Sequence, residues 1–104
     1  MPKYTKADFI DALYEKTGMS RREIRTTIDL FIGEVKAALM QRNIIELRGF
    51  GTFEVKIRKA RPKARNPRTG QTISIRSHGV VSFRPGRELK QDAWNITDEK
   101  AVQP

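Results

Sequence analysis

Lys59, Arg61, Lys63 and Arg65 recur at every second position, and Asn66, Pro67, Arg68, Thr69 and Gly70 follow directly. On extended backbone, alternate residues project from one side. The four cations are therefore expected to form a row, with Ala60, Pro62 and Ala64 behind it. Such a row suits one kind of chemistry: it neutralises a run of repeated negative charges and displaces their counterions. The segment after it reads as a turn, because Pro67 fixes its own φ and Gly70 supplies freedom on the far side. A proline at the tip of a ribbon is also a rigid apolar wedge, of a size to enter between stacked bases. An ordinary turn proline explains the same residue, and the residues alone leave both readings open.

The cationic run is wider than the row. Residues 56–87 carry ten Lys/Arg and no acid, whereas residues 1–55 carry nine against eight and residues 88–104 two against four. The whole chain has 104 residues and a net charge of +9. A solvated face mixes signs, and this segment does not. A polyanionic partner is implied, either nucleic acid or an anionic surface.

Several classes are disfavoured. No apolar run approaches the length of a membrane span, and "MPKYTKADFIDAL" lacks the unbroken apolar stretch of a secretory signal. Cysteine is absent, which removes disulfides, thiolate ligands and a thiol nucleophile. Carboxylates are scattered without metal-ligand spacing, and "RNPRTG" lacks the Lys-Ser/Thr of a phosphate loop. His78 has no second His or Cys beside it and reads as structural or as facing the anion. No enzyme, metal or cofactor is expected, and a cytoplasmic location fits.

These residues need elements to hold them. Thr5 with Asp8 opens a first helix, which Gly18 ends; Ser20 with Glu23 opens a second. Ile24, Ile28, Phe31, Ile32, Val35 and Leu39 then recur at three- and four-residue steps as far as about Gln41, marking one apolar face. At 1.5 Å per residue that face is ~30 Å long, more than a lone small domain covers readily. "IIELRGFGTFEVKI" reads as strand, turn, strand, with Gly49 and Gly51 as the turn residues. Phe50 is expected to fold back on the core. "TISIR" and "VVSF" are further strands, with a kink or bulge expected at Gly79. Lys56 and Arg58 have the opposite parity to the cationic row, which predicts a slip of phase near Arg58. The stretch from Arg58 to Arg76 is then a long two-stranded ribbon, with Pro62 on an edge strand. A short closing helix begins at Pro85. The expected fold class is α+β: an N-terminal helical pair, an antiparallel sheet with a protruding two-stranded arm over about 56–78, and a short C-terminal helix. One domain covers 1–94, and 95–104 is a tail without pattern.

"GFGTFEV" at 49–55, "RNPRTG" at 65–70 and "VVSFRPGRELK" at 80–90, in that order, resemble the HU/integration host factor family of bacterial DNA-bending proteins. The resemblance covers about residues 3–94. It implies an intertwined dimer, of identical or related chains, whose arms reach around double-stranded DNA through the minor groove in the nucleoid. Carried over by position, Pro67 matches the intercalating proline, and Arg65 and Asn66 the tip residues beside it. Lys56, Arg58, Lys59, Arg61, Lys63, Arg68 and Arg76 fall on or near the arm. Thr5, Lys6, Gly86 and Arg87 fall at helix N-termini, which hold anions through their N–H groups. "YTKADF" and "VVSFRPG" look like the alpha subunit of integration host factor, while "IIELRGFG", with Glu46 and Arg48, looks more like the beta subunit, where the matching residues help read sequence. The expected function is largely HU-like bending and compaction. The alternatives are a site-specific integration-host-factor-like bender and a basic RNA-binding module. One departure concerns the arm: "RPKARNP" reads one residue longer than the usual "RTGRNP". Trp94 is also unusual near the end and is expected to pack beside the last helix. The phenylalanines are expected in the core, not as base-stacking platforms, and Arg21, Arg22 and Arg25 as solvated.

Overall fold

The computed structural model describes residues 2–97. Two compact units divide the chain after Ala37, and each is taken by itself.

The first unit holds helix α1 (Lys6–Thr17) and most of α2 (Arg21–Met40). Both begin as the sequence dictates. The Thr5 N–H donates to the Asp8 carboxylate at 2.7 Å, and the Glu23 N–H donates to the Ser20 hydroxyl at 3.1 Å. Gly18 ends α1 in the left-handed region at φ 75°, its N–H on the Tyr14 carbonyl. Ile10 and Ile24 are buried, but Phe9 is 54% exposed, Phe31 53% and Ile32 45%. The apolar face predicted for α2 is thus uncovered at its middle in one chain, at Phe31 and Ile32, while Ile24 and Leu39 are buried and Ile28 and Val35 half-buried. Phe9, Leu13, Ile28, Phe31 and Ile32 line an open apolar groove between the two helices.

Helix α2 stops within the second unit. Arg42 takes a left-handed φ of 63°, and the Asn43 N–H bonds the Ala38 carbonyl while the Arg42 N–H bonds that of Leu39. That is the closing pattern a glycine usually provides. Strand β1 (Ile45–Leu47) pairs antiparallel with β2 (Gly51–Arg58), which pairs with β5 (His78–Pro85). A separate two-stranded sheet joins β3 (Arg61–Arg65) to β4 (Thr72–Ile75). Helix α3 (Arg87–Trp94) closes the unit against β5.

Five details differ from expectation. Gly51 is not a turn residue; it opens β2. A Cβ there would lie 2.6 Å from the Arg84 carbonyl oxygen and 2.6 Å from the Phe83 ring, so glycine is required by close approach. Gly79 is not at a bulge, because β2 and β5 keep one register from Gly51↔Pro85 to Arg58↔His78. Its missing side chain makes room for Val55, whose Cγ1 would sit 3.0 Å from a Cβ. The slip of phase falls on β3 instead, between Arg61 and Ala64. Pro85 is the last residue of β5, and Gly86 is the cap of α3. Trp94 does not pack on the body; it is the last residue of α3 and is 85% exposed. Residues 98–104 of the expected tail lie outside the described residues.

Phe50, Phe53 and Phe83 form one aromatic cluster, with Phe53 and Phe83 directly paired across the strands at 4.7 Å between ring centroids. Phe50 does turn onto this cluster, yet Phe50 and Phe83 stay partly exposed in the single chain.

Candidate nucleic-acid interface

Directly paired residues of an antiparallel sheet share a face. The β2–β5 register therefore sorts the three-stranded sheet. Phe53, Val55 and Ile57, with Phe83 and Val81, make one apolar face; Thr52, Glu54, Lys56 and Arg58 lie opposite Arg84, Ser82, Val80 and His78 on the other. Glu46 joins this polar face through its pairing with Thr52. Lys56 has a carboxylate beside it, Glu54 at 3.8 Å. Arg84 stands on the same face as Lys56 and Arg58. Sequence reasoning misses it, although its parity with Ser82 in "VSFRP" carries the signal. Arg48 lies in the exposed β1–β2 turn.

Both edges of the ladder break at the same level. Lys59 and Ala60 separate β2 from β3, and Arg76 and Ser77 separate β4 from β5. His78 sits beside this break with Nδ1 2.8 Å from the Arg76 carbonyl oxygen. A carbonyl only accepts, so Nδ1 carries the proton. Ile57, Ala60, Arg61 and Ile75 surround the same hollow.

Beyond the break, the ribbon is cationic and exposed, as expected, but its cations do not share one side. Arg61 pairs with Ile75, Ala64 with Ile73, and Arg65 with Thr72. Ile73 and Ile75 share a face, so Arg61 and Ala64 lie on it together, and Arg65 lies on the other. Three steps of β3 match two of β4, leaving Pro62 and Lys63 together opposite Ser74. The physical reason for the corrected row is this β-bulge.

The tip is bonded to itself. The Asn66 N–H donates to the Gln71 carbonyl at 2.7 Å, and the Gly70 N–H to the Asn66 carbonyl at 2.7 Å. The Arg68 N–H donates to the Asn66 side-chain oxygen at 2.9 Å. Gly70 holds φ 73°. Pro67 has no N–H to satisfy and stands exposed at the end, with Arg65 and Arg68 on either side.

The helix N-termini are less open to an anion at α1 than at α3. At α1 the Asp8 carboxylate already takes the Thr5 N–H, and Lys6 is paired to Asp29 at 2.8 Å. At α3 the cap is Gly86, which has no side chain to fold over the first turn; its own N–H is held by the Phe50 carbonyl at 2.8 Å, and Arg87 is exposed. Arg21 is tied to Asp11 at 3.0 Å and lies over the Tyr14 ring, its guanidinium raised above its ordinary pKa chiefly by the bond to Asp11. No helix among the described residues is long and apolar enough to cross a membrane.

A polar sheet face that carries Lys56, Arg58 and Arg84 beside Glu46 and Glu54, continued by a basic ribbon with a preformed proline tip, defines a ribbon-armed nucleic-acid-binding protein. The chain matches the family model for "bacterial DNA-binding protein" over residues 4–93 and belongs to that family. It is 43% identical over 96 residues to integration host factor subunit alpha of Vibrio cholerae, covering 92% of this chain and 97% of that one. Among solved structures it is similar to HU in an Anabaena HU–DNA cocrystal, with a TM-score of 0.78, 26% identity, and coverage of 88% and 99% of the two chains. It is also similar to an HU variant from Thermotoga maritima, with a TM-score of 0.62, 25% identity, and coverage of 86% and 97%. Proteins of this family bind DNA and form dimers, and are not enzymes.

Proposed function

We propose that the protein is an architectural dimer that bends duplex DNA, with the ribbon in the minor groove and Pro67 inserted between base pairs. The observation that carries this reading is the tip: an exposed proline on a turn whose Asn66, Arg68 and Gly70 N–H groups are already bonded, flanked by Arg65 and Arg68. Unstacking one base step costs a few kcal/mol, and wrapping more cationic surface offsets it. Lys59, Arg61, Lys63, Arg68 and Arg76 supply that surface on the arm, and Lys56, Arg58 and Arg84 supply it on the sheet. Gly86 and Arg87 hold phosphate at the α3 N-terminus. Thr5 and Lys6 do so at α1, where a phosphate displaces Asp29 from Lys6. Dimerisation is supported by the uncovered Phe9, Phe31 and Ile32 of the helices. The protein then works in the nucleoid, within the cytoplasm.

On specificity, contacts mainly to phosphate favour an HU-like bender that reads deformability. The identity to integration host factor subunit alpha favours a second reading, a site-specific bender with a related partner chain and Arg48 as one of its readers. Selection from a pool of random duplexes at near-physiological salt, with bend measured on the recovered duplexes, tests both. Bent duplexes with only a preference for flexible steps support the first reading, and a sharp motif supports the second. Recovered duplexes that stay straight contradict bending itself.

A further inference from the structure

Helix α2 has a second apolar stripe that neither the core nor the groove uses. At about 100° per residue, the buried Ile24 and Leu39 and the half-buried Ile28 and Val35 lie on one side, with Phe31 and Ile32 at its edges. Thr26, Leu30, Gly33, Ala37 and Met40 lie on the opposite side, all exposed, Leu30 by 66% and Met40 by 69%. Their steps alternate four, three, four and three, the roughly 3.5-residue period of a helix-to-helix seam. No member is charged, while Asp29, Glu34 and Lys36 flank the stripe. Gly33 has no reason within the chain. It sits inside a 20-residue helix, where glycine is less favourable than alanine. Its φ is not left-handed, and a Cβ there would meet nothing within 4 Å. The packing that explains such a glycine must come from outside the chain.

We propose that this stripe joins two dimers of the chain, packing antiparallel against its own copy about a two-fold axis at Gly33. Such a contact sets each residue against its mirror position. Gly33 then meets Gly33 of the second copy, which lets the backbones approach. Leu30 falls beside Ala37 and Met40 beside Thr26, large against small. Asp29 and Lys36 flank one edge on either side of Gly33, so each Lys36 falls beside an Asp29 of the second copy. Lys36 has no ion pair among the described residues, and Asp29 holds Lys6 through Oδ1 alone. Glu34, on the other edge, approaches its own copy and opposes the contact. The groove of Phe9, Phe31 and Ile32 lies on the other side of α2 and stays free for the dimer itself.

Sedimentation velocity of the full chain without DNA, at rising concentration and near-physiological salt, reads the association. Wild type is expected to pass from dimer to tetramer. Gly33→Glu introduces a good helix former into open space, so the dimer remains. It sets like charges at the axis and raises the half-association concentration by more than about tenfold. Lys36→Gln raises that concentration too, and Glu34→Gln lowers it. Both signs run against the overall repulsion of chains at +9, which loss of a lysine lessens and loss of a glutamate increases. Wild type that never exceeds a dimer overturns the proposal. Monomers in Gly33→Glu overturn it as well, since the stripe would then belong to the dimer's own interface, and so do variants that double like wild type. Because no DNA is present, a chain that doubles as expected but leaves duplexes straight counts against the bending reading alone.

Discussion

Gly51 lies so close to Arg84 that a single added carbon would sit 2.6 Å from the Arg84 carbonyl oxygen. The backbone of the neighbouring strand β5 thus crowds the start of β2, and Arg84 is held in the sheet register opposite Thr52. Gly51→Ala is expected to destabilise the fold by about 1–3 kcal/mol through overpacking against rigid backbone and the Phe83 ring. Urea unfolding followed by circular dichroism measures this, and an unchanged midpoint would contradict the close approach.

Arg84 itself is exposed and carries no structural ion pair among the described residues. Arg84→Ala should leave stability nearly unchanged and lower the slope of log K against log salt by about 0.9, the value of one neutralised phosphate. A wild-type slope would remove the polar sheet face from the interface.

Pro67→Ala should change affinity by less than about tenfold while abolishing most of the bend, since phosphate neutralisation supplies affinity and the wedge supplies the kink. Energy transfer between the ends of a bound duplex is the readout. A bend equal to wild type excludes intercalation, and would fit a basic arm that threads folded RNA.

Replacing Lys59, Arg61 and Lys63 together with Ala should flatten the salt dependence, by about 0.9 for each phosphate that the arm no longer neutralises. Because the bulge puts cations on both faces of the ribbon, the three need not contribute equally, and single substitutions resolve them. If the triple variant titrates with the wild-type slope, the arm does not touch phosphate.

Phe31→Asp places a charge on the uncovered face of α2. Wild type should show a melting temperature that rises with protein concentration, as subunit association demands. The variant should lose helical signal at dilutions where wild type retains it. Concentration-independent melting of wild type would argue for a folded monomer.

The chain's one-dimensional signals are legible where they are local. Caps at Thr5 and Ser20, the stop at Gly18, and the Asn66–Gly70 turn all follow from residues three or four apart. The glycines mislead because two causes produce the same letter. Gly49 and Gly70 adopt positive φ, whereas Gly51 and Gly79 make room for atoms contributed by other parts of the sheet, Phe83 and Arg84 for the first and Val55 for the second. Alternation likewise gives the cationic row on β3 but not its break. A bulge depends on how many residues the opposite strand offers, and β4 offers Ser74 where β3 offers both Pro62 and Lys63. Arg84 escapes a sequence reading because it sits inside a segment dominated by aromatic and aliphatic signals.

The self-bonded tip has a kinetic consequence. The peptide groups of Asn66 and Gly70 have partners within the turn before any duplex arrives, so docking need not find and fix a loop conformation in the groove. Encounter then selects the orientation of a preformed turn, and on the proposed wedge mechanism opening of the base step is the expected slow event. Association should accelerate on duplexes carrying a mismatch or a gap at that step, with the dissociation rate changing less.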